Sequence, residues 1–404
     1  MKVKIAPSTL SGTIKAPPSK SMAHRLLICA GLSEGESVIR GVEMSEDVLA
    51  TLDCLSALGA VCAVSGDTVR VKGIDATSAV TNAVLPCREC GSTLRFFIPI
   101  CLLSGSEMTL TGSERLLSRP LDVYEKMCRE RGFVFENDGA RVKVCGRLSP
   151  GEYVMSGNVS SQFISGMLFA LPLIGGDSKL IITGGVDSRP YIDLTLDALE
   201  KFGVKAGFSG DNTIYVRGSQ KYVAHSATVE GDYSNAAFFE ALNLFGGDVK
   251  ITSLAPDSRQ GDKIYGEYFK KLESGAPTLS LGDCPDLGPV MFAVAAAKNG
   301  ATFTGTRRLK IKESDRVASM TDELKKFGAE FDISDDIVVV RKSTLHSPTD
   351  ILDSHNDHRV AMALAVLMTK FGGEIRGAEA VSKSMPDFFE KLAALGAKVD
   401  KYED

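Results

Sequence analysis

The sequence predicts an α/β protein of two domains, each built from three similar units, and three observations carry the prediction. An amphipathic helix ending in glycine occurs six times, as EDVLATLDCLSALGA, PLDVYEKMCRERGF, YIDLTLDALEKFGV, DKIYGEYFKKLESGA, RVASMTDELKKFGA and DFFEKLAALGA. The terminal glycines, Gly59, Gly132, Gly203, Gly275, Gly328 and Gly396, follow one another at 73, 71, 72, 53 and 68 residues, a period near seventy with one short copy. Finally, 404 residues with 44% hydrophobic content exceed what one core usually fills.

Taken in order, each unit explains itself locally. The apolar positions of each helix recur at helical spacing, and its glycine suits a left-handed C′ cap that turns the chain out of the helix. A β-rich run follows in several copies, as in NTIYVRG and DISDDIVVVRK. Units of about seventy residues are too long for the usual solenoid repeats and too short for full-sized domains. Three per domain is the economical arrangement, with one crossing between domains near residue 225, in RGSQKYVAHSATVEGDYSN.

Composition narrows the function classes. Acidic residues outnumber basic ones, 51 to 46, for a net charge of -5, so no general basic field is available for nucleic acid. The apolar runs FFIPICLL and AMALAVLM fall short of the ~20 residues that span a bilayer. MKVKIAPSTLSG has no apolar stretch of signal-peptide length, so a cytoplasmic location is expected, with no nucleic-acid or membrane partner. Nine scattered cysteines, eight of them before residue 150, read as reduced packing thiols. Cys87 and Cys90 form a CxxC, but no second Cys or His pair at metal spacing accompanies them, and no metal site is expected.

Polar clusters stand at the mouths of several helices. Asn356, Asp357, His358 and Arg359 run straight into AMALAVLMTKFGG; Lys20, Ser21 and Arg25 open a helix after APPS. Ser160, Ser161 and Gln162 open FISGMLFALPL, and Lys312, Glu313, Ser314, Asp315 and Arg316 open VASMTDELKKFG. Helix N-termini present unsatisfied N–H groups and a positive dipole end, so the set describes anion sockets for a small substrate, or two, carrying several negative charges. Taken singly, a Lys-Ser pair before a helix is usually a cap, and a lone histidine is usually a satisfied imidazole.

The motifs PPSKSMAHR, SRPLD, SSQFISGMLFALPL, SRPYIDLT, PDLGP, IKESDR, NDHRVAMA and KSMPDFF, in this order, resemble those of the 5-enolpyruvylshikimate-3-phosphate (EPSP) synthase family. The resemblance implies a two-domain inside-out α/β barrel of six βαβαββ repeats, with helix N-termini pointing into the cleft between domains. It places residues 14–224 in one domain and 1–13 with 225–404 in the other. It also implies a monomeric enzyme, free of cofactors, that joins phosphoenolpyruvate to shikimate 3-phosphate by addition and elimination through a tetrahedral intermediate.

Carried over residue by residue, the shikimate 3-phosphate side is Lys20, Ser21, Arg25, Ser160, Ser161, Gln162, Ser188, Asp286 and Lys312. The phosphoenolpyruvate side is Lys20, Gly91, Arg119, Gln162, Arg316, Arg359 and Lys383. Asp286 is expected as the base toward the attacking hydroxyl and Glu313 as the donor to the methylene carbon, with Lys20 and His358 assisting. Asp47, Asp232 and Tyr191 are weaker candidates to line the cleft. Arg189 repeats the SRP of Arg119 seventy residues on, and is expected to be structural or peripheral. Glu89 and Ser92 depart from the family's NxGTxxR loop, and Arg308 stands where many members have asparagine. Two other readings are a UDP-N-acetylglucosamine enolpyruvyl transferase of the same fold, which lacks the NDHR cluster, and a non-catalytic polyanion-binding protein. Asp286 and Glu313 argue against the second, because carboxylates without a proton to move weaken an anion site.

Overall fold

The computed structural model describes residues 1–78 and 82–403. The chain forms two compact units, Pro18–Glu230 and Met1–Pro17 with Gly231–Asp404. The crossings fall at 17/18 and 230/231 rather than at 13/14 and 224/225. Ladder bonds set these points: Ser19 N–H donates to Glu230 O in one unit, and Asp232 N–H to Pro17 O in the other.

The first unit holds helices α1 (Lys20–Gly31), α2 (Glu46–Ala57), α3 (Gly91–Cys101), α4 (Glu114–Leu117), α5 (Asp122–Arg131), α6 (Ser161–Ala170) and α7 (Arg189–Lys201). The second holds α8 (Tyr233–Leu244), α9 (Tyr265–Ser274), α10 (Gly288–Ala297), α11 (Arg316–Lys325), α12 (His358–Phe371) and α13 (Phe388–Ala394). Side chains of Ser19, Ser45, Cys90, Ser160, Asp232, Asp315 and Asp357 accept the first free N–H groups of their helices, as N-caps should.

Sheet order is the repeat made visible. Val84–Pro86 lies parallel to Met108–Thr111, which pairs antiparallel with Arg141–Cys145, and that strand with Val134–Asn137. Gly151–Ser156, Ser178–Thr183, Thr213–Val216 and Ala206–Phe208 repeat this order, as do Ala227–Thr228, Glu36–Arg40, Thr68–Lys72 and Val61–Ser65. In the second unit the same order runs through Thr278–Ser280, Ala301–Thr304, Ile337–Val340 and Phe331–Ile333. It recurs in Leu352–Asp353, Gly373–Arg376, Lys2–Ala6 and Lys398–Tyr402, so the N-terminal strand completes the last repeat.

In the remaining repeat the sheet is reduced to Asp248–Thr252 parallel to Ser11–Lys15. Here the chain leaves α9 and passes directly into Thr278–Ser280 of the next sheet without the usual hairpin, which accounts for the short spacing of 53. One expectation is corrected at the same place. Gly59, Gly132, Gly203, Gly328 and Gly396 have φ between 70° and 106°, in the left-handed region. Gly275 is extended, at φ 175° and ψ -158°, because no hairpin follows it.

Each unit has its own core. Helices α1, α3, α6, α8, α10 and α12 are buried along nearly their whole length, as their almost uninterrupted apolar sequences require. The glycine-ended helices bury one face. Helices α3 and α6 pack closely: a Cβ on Gly166 would lie 2.3 Å from Tyr124 Oη and 2.5 Å from Arg95 O. That hydroxyl sits 2.8 and 2.9 Å from the carbonyl oxygens of Arg95 and Phe163, tying the two helices together at their polar ends.

Candidate active site

In the second unit the N-termini of α8, α10, α11 and α12 converge on one ionic cluster. Arg316 is 1% exposed, and its guanidinium is met by three carboxylates: Asp357 at 2.8 Å, Asp286 at 3.0 Å and Glu313 at 2.7 Å. Asp286, in the turn before α10, also receives Arg359 Nη2 at 2.9 Å and Lys312 Nζ at 3.4 Å. One carboxylate is thus held by three cations. These attractions favour the charged forms of the buried arginine, and Asp357, Glu313 and Asp286 together raise the Arg316 pKa despite its burial. Lys312 goes the other way: desolvation lowers its pKa to about 8, with Arg316 and Arg308 adding to the fall and Asp286 opposing it.

Local structure explains the placement. Asp357 caps α12 by accepting the N–H of Arg359, and it also accepts from Ser314 Oγ and Arg316 Nε. One residue therefore starts α12 and aims the arginine of α11. Arg359 Nη2 is steadied by Ser234 Oγ at 3.0 Å, and Ser234 in turn donates to Asp232. His358 is buried at the first position of α12. Lys383, at the end of the 3-10 segment Ala378–Lys383, donates to Asn356 O at 2.7 Å.

In the first unit the N-termini of α1, α3 and α6 carry the assigned groups. Lys20 Nζ donates to Asp47 of α2 at 2.5 Å. Gln162 bridges two helices: its amide NH₂ donates to Ser92 Oγ at 2.8 Å, and its oxygen accepts from Arg95 Nη1 at 2.8 Å. Ser160 is the cap of α6 and Ser161 its buried first residue. The structure gives a reason of its own for a glycine at position 91. A Cβ there would lie 2.5 Å from Arg119 Nη1, so the missing side chain makes room for that guanidinium.

Arg25 is more embedded than the sequence suggests. It donates to Ser21 O, Thr195 Oγ1 and Tyr191 O at 2.6, 2.8 and 2.8 Å, and burial lowers its pKa to about 10. The group therefore joins α1 to α7. Ser188 is buried with φ 56°, just before α7. Arg189 stacks on Phe208 at 3.9 Å and lies 4.0 Å from Asp193, a structural role as expected from the repeat. Glu89 is exposed, and Ser92 is the partner of Gln162.

In the sequence Asp357 stood out only as one of the polar cluster opening its helix, and Ser234, Thr195 and Arg95 were given no role, although all four hold assigned groups in place. Asp357 carried a signal, since an aspartate immediately before an apolar helix is an N-cap. Thr195 carried none: it reaches Arg25 across 170 residues of chain.

The fold matches solved enolpyruvyl transferases. An EPSP synthase structure from Acinetobacter baumannii aligns with a TM-score of 0.79 at 23% identity, covering 99% of this chain and 100% of that one. The enolpyruvyl transferase NikO from Streptomyces tendae aligns with a TM-score of 0.79 at 16% identity, covering 99% and 98%. The architecture is thus that of the enolpyruvyl transferases. Over residues 5–392 the chain matches the family described as EPSP synthase (3-phosphoshikimate 1-carboxyvinyltransferase). It is 38% identical to the 3-phosphoshikimate 1-carboxyvinyltransferase of Clostridium novyi, across 99% of this chain and 98% of that protein. The chain belongs to the EPSP synthase family.

Proposed function

We propose that both clusters serve the reaction of the family: transfer of the enolpyruvyl group of phosphoenolpyruvate to the 5-hydroxyl of shikimate 3-phosphate, with release of phosphate. The chain is a transferase of aromatic amino-acid biosynthesis. The reading on UDP-N-acetylglucosamine is not favoured, since the matching family and the curated relatives carry the shikimate name. The non-catalytic reading gains no support either. Among the described residues no helix is long and apolar enough to cross a membrane. A monomer acting in the cytoplasm fits this reading.

The observation that carries the site assignment is the placement of Asp286, one carboxylate under three cations. Both substrates are polyanions, each with a carboxylate and a phosphate. Arginine forks suit the carboxylates, and lysine gives a compact charge for phosphate oxygens. When an incoming oxyanion takes up Arg316 and Arg359, it replaces Asp286 and Glu313 as their partner. Asp286 is then released toward the attacking hydroxyl as the base, and Glu313, freed from Arg316, takes up a proton from solvent and passes it to the methylene carbon. Lys20, Arg119, Gln162 and Lys383 hold the phosphoenolpyruvate side, with Gly91 giving Arg119 its room. Ser21, Arg25, Ser160, Ser161, Gln162, Ser188 and Lys312 hold shikimate 3-phosphate, while Lys20 and His358 assist proton transfer.

Phosphate release from shikimate 3-phosphate and phosphoenolpyruvate tests the reaction. Release only with UDP-N-acetylglucosamine would overturn it. Two variants test the roles: Glu313→Gln lowers turnover roughly 10²- to 10⁴-fold with binding nearly unchanged, and Asp286→Asn lowers turnover and also weakens shikimate 3-phosphate binding in a calorimetric titration. Near-parental turnover in Glu313→Gln would remove Glu313 as the proton donor.

A further inference from the structure

Behind the amine of Lys20 stand three side chains of metal-ligand type that the reaction does not use. His24 of α1, Asp47 of α2 and Cys90 at the cap of α3 each offer one donor atom, and these atoms lie within 4.8 Å of one another in a buried group. His24 Nε2 and Cys90 Sγ are 3.8 Å apart. A tetrahedral zinc ion with bonds of about 2.0 Å to nitrogen and 2.3 Å to sulfur would set those atoms roughly 3.5 Å apart, so closure by a few tenths of an ångström completes the pair.

The histidine is oriented as a ligand histidine usually is. Its Nδ1 lies 2.7 Å from Thr51 Oγ1, which lies 2.8 Å from Thr93 Oγ1. The tautomer that donates Nδ1–H to Thr51 turns the bare Nε2 lone pair toward the sulfur, and a partner on the far nitrogen is the outer-shell feature that fixes metal-binding imidazoles. Burial, with Lys20 and Arg25 nearby, lowers the His24 pKa well below its usual value and keeps the ring in its neutral, ligating form. Sequence spacing could not show this site, because its three donors come from three different helices.

We propose that His24 Nε2, Cys90 Sγ and an Asp47 oxygen form an inhibitory site for a borderline divalent cation of the zinc class, with water in the fourth position. On binding, the cation replaces the thiol proton of Cys90, which passes to solvent, and takes the Asp47 carboxylate from the Lys20 ammonium. The site then carries two positive charges on the metal against one thiolate and one carboxylate. Lys20 loses the carboxylate that positions it. The binding claim stands on the three donors alone; the inhibition rests on the role of Lys20 under Proposed function.

The test is a titration of the full chain with zinc chloride against a chromophoric chelator, together with zinc-edge X-ray absorption and turnover assays. One zinc ion binds per chain, a proton is released, and the absorption spectrum shows one sulfur neighbour among nitrogen and oxygen neighbours. Turnover falls and returns on adding a chelator. Cys90→Ser, which keeps an oxygen to cap α3, binds zinc roughly 100-fold or more weakly and turns over normally without zinc. Absence of zinc binding, a sulfur-free shell, or an undiminished affinity in Cys90→Ser overturns the site. The absorption measurement on the unaltered chain decides the matter even if the variant fails to fold. Zinc bound through sulfur without loss of turnover would uphold the site and count against the role given to Lys20.

Discussion

Lys312 and Gly91 show how much a single residue's surroundings decide. A lysine ordinarily titrates near 10.5, but desolvation brings Lys312 down to about 8. Its charge, and any pull it exerts on a substrate oxyanion, is therefore present below that pH and lost as pH rises through it. The Michaelis constant for shikimate 3-phosphate should climb roughly tenfold above pH 8, about the value of one charged hydrogen bond. Lys312→Arg should abolish the inflection, and a flat profile in the parent enzyme would remove Lys312 from the site. At Gly91 the obstacle to a side chain is the tip of Arg119, a group that can move. Gly91→Ala should therefore fold and melt like the parent while raising the Michaelis constant for phosphoenolpyruvate about tenfold. An unchanged constant would separate Arg119 from that substrate.

At the scale of elements, the helix starts matter most. The N-terminus of α12 is held by Asp357, which is wholly buried and shared between the cap and Arg316. Removing one partner of a buried ion pair costs more than the pair contributes, because the other charge stays behind in a low-dielectric site. Asp357→Asn keeps an oxygen for the cap but takes away the charge. Its expected cost is about 3 kcal/mol in a urea titration, with weaker phosphoenolpyruvate binding as Arg316 loses its aim. Wild-type stability and affinity would show that Glu313 and Asp286 suffice to hold Arg316.

Across the whole molecule, cations are distributed over both units. Lys20, Arg25 and Arg119 belong to the 18–230 unit, while Lys312, Arg316, Arg359 and Lys383 belong to the other. The sequence alone suggests mutual repulsion of the two sets. In the structure, much of this charge is compensated at close range, as in Lys20 with Asp47 and Arg316 with its three carboxylates. Any compaction on binding is then driven by the polyanionic ligands rather than by relief of repulsion. Small-angle scattering should show a smaller radius of gyration once both ligands are added, and an unchanged radius at saturation would contradict ligand-driven compaction.

Periodicity and local chemistry are properties of contiguous chain, and the sequence carried nearly all of them, the conformation of Gly275 excepted. The six glycine-ended helices, the short fourth spacing, the capped helix starts and the ordered motifs could all be read from neighbouring residues. Long-range closure was not legible. Lys2–Ala6 pairs with Gly373–Arg376 and Lys398–Tyr402 at the other end of the chain, and the missing hairpin after Gly275 became visible only in the strand order. The same limit applied to the site. The candidate anion-binding groups stood at helix starts in the sequence, but the partners of those groups did not show there, because Thr195 for Arg25, Asp47 for Lys20 and Arg119 beneath Gly91 meet only through packing. Sequence determined which residues carry charge and where helices begin. Tertiary structure decided which charges are already paired, since that depends on distances and burial that no local spacing encodes.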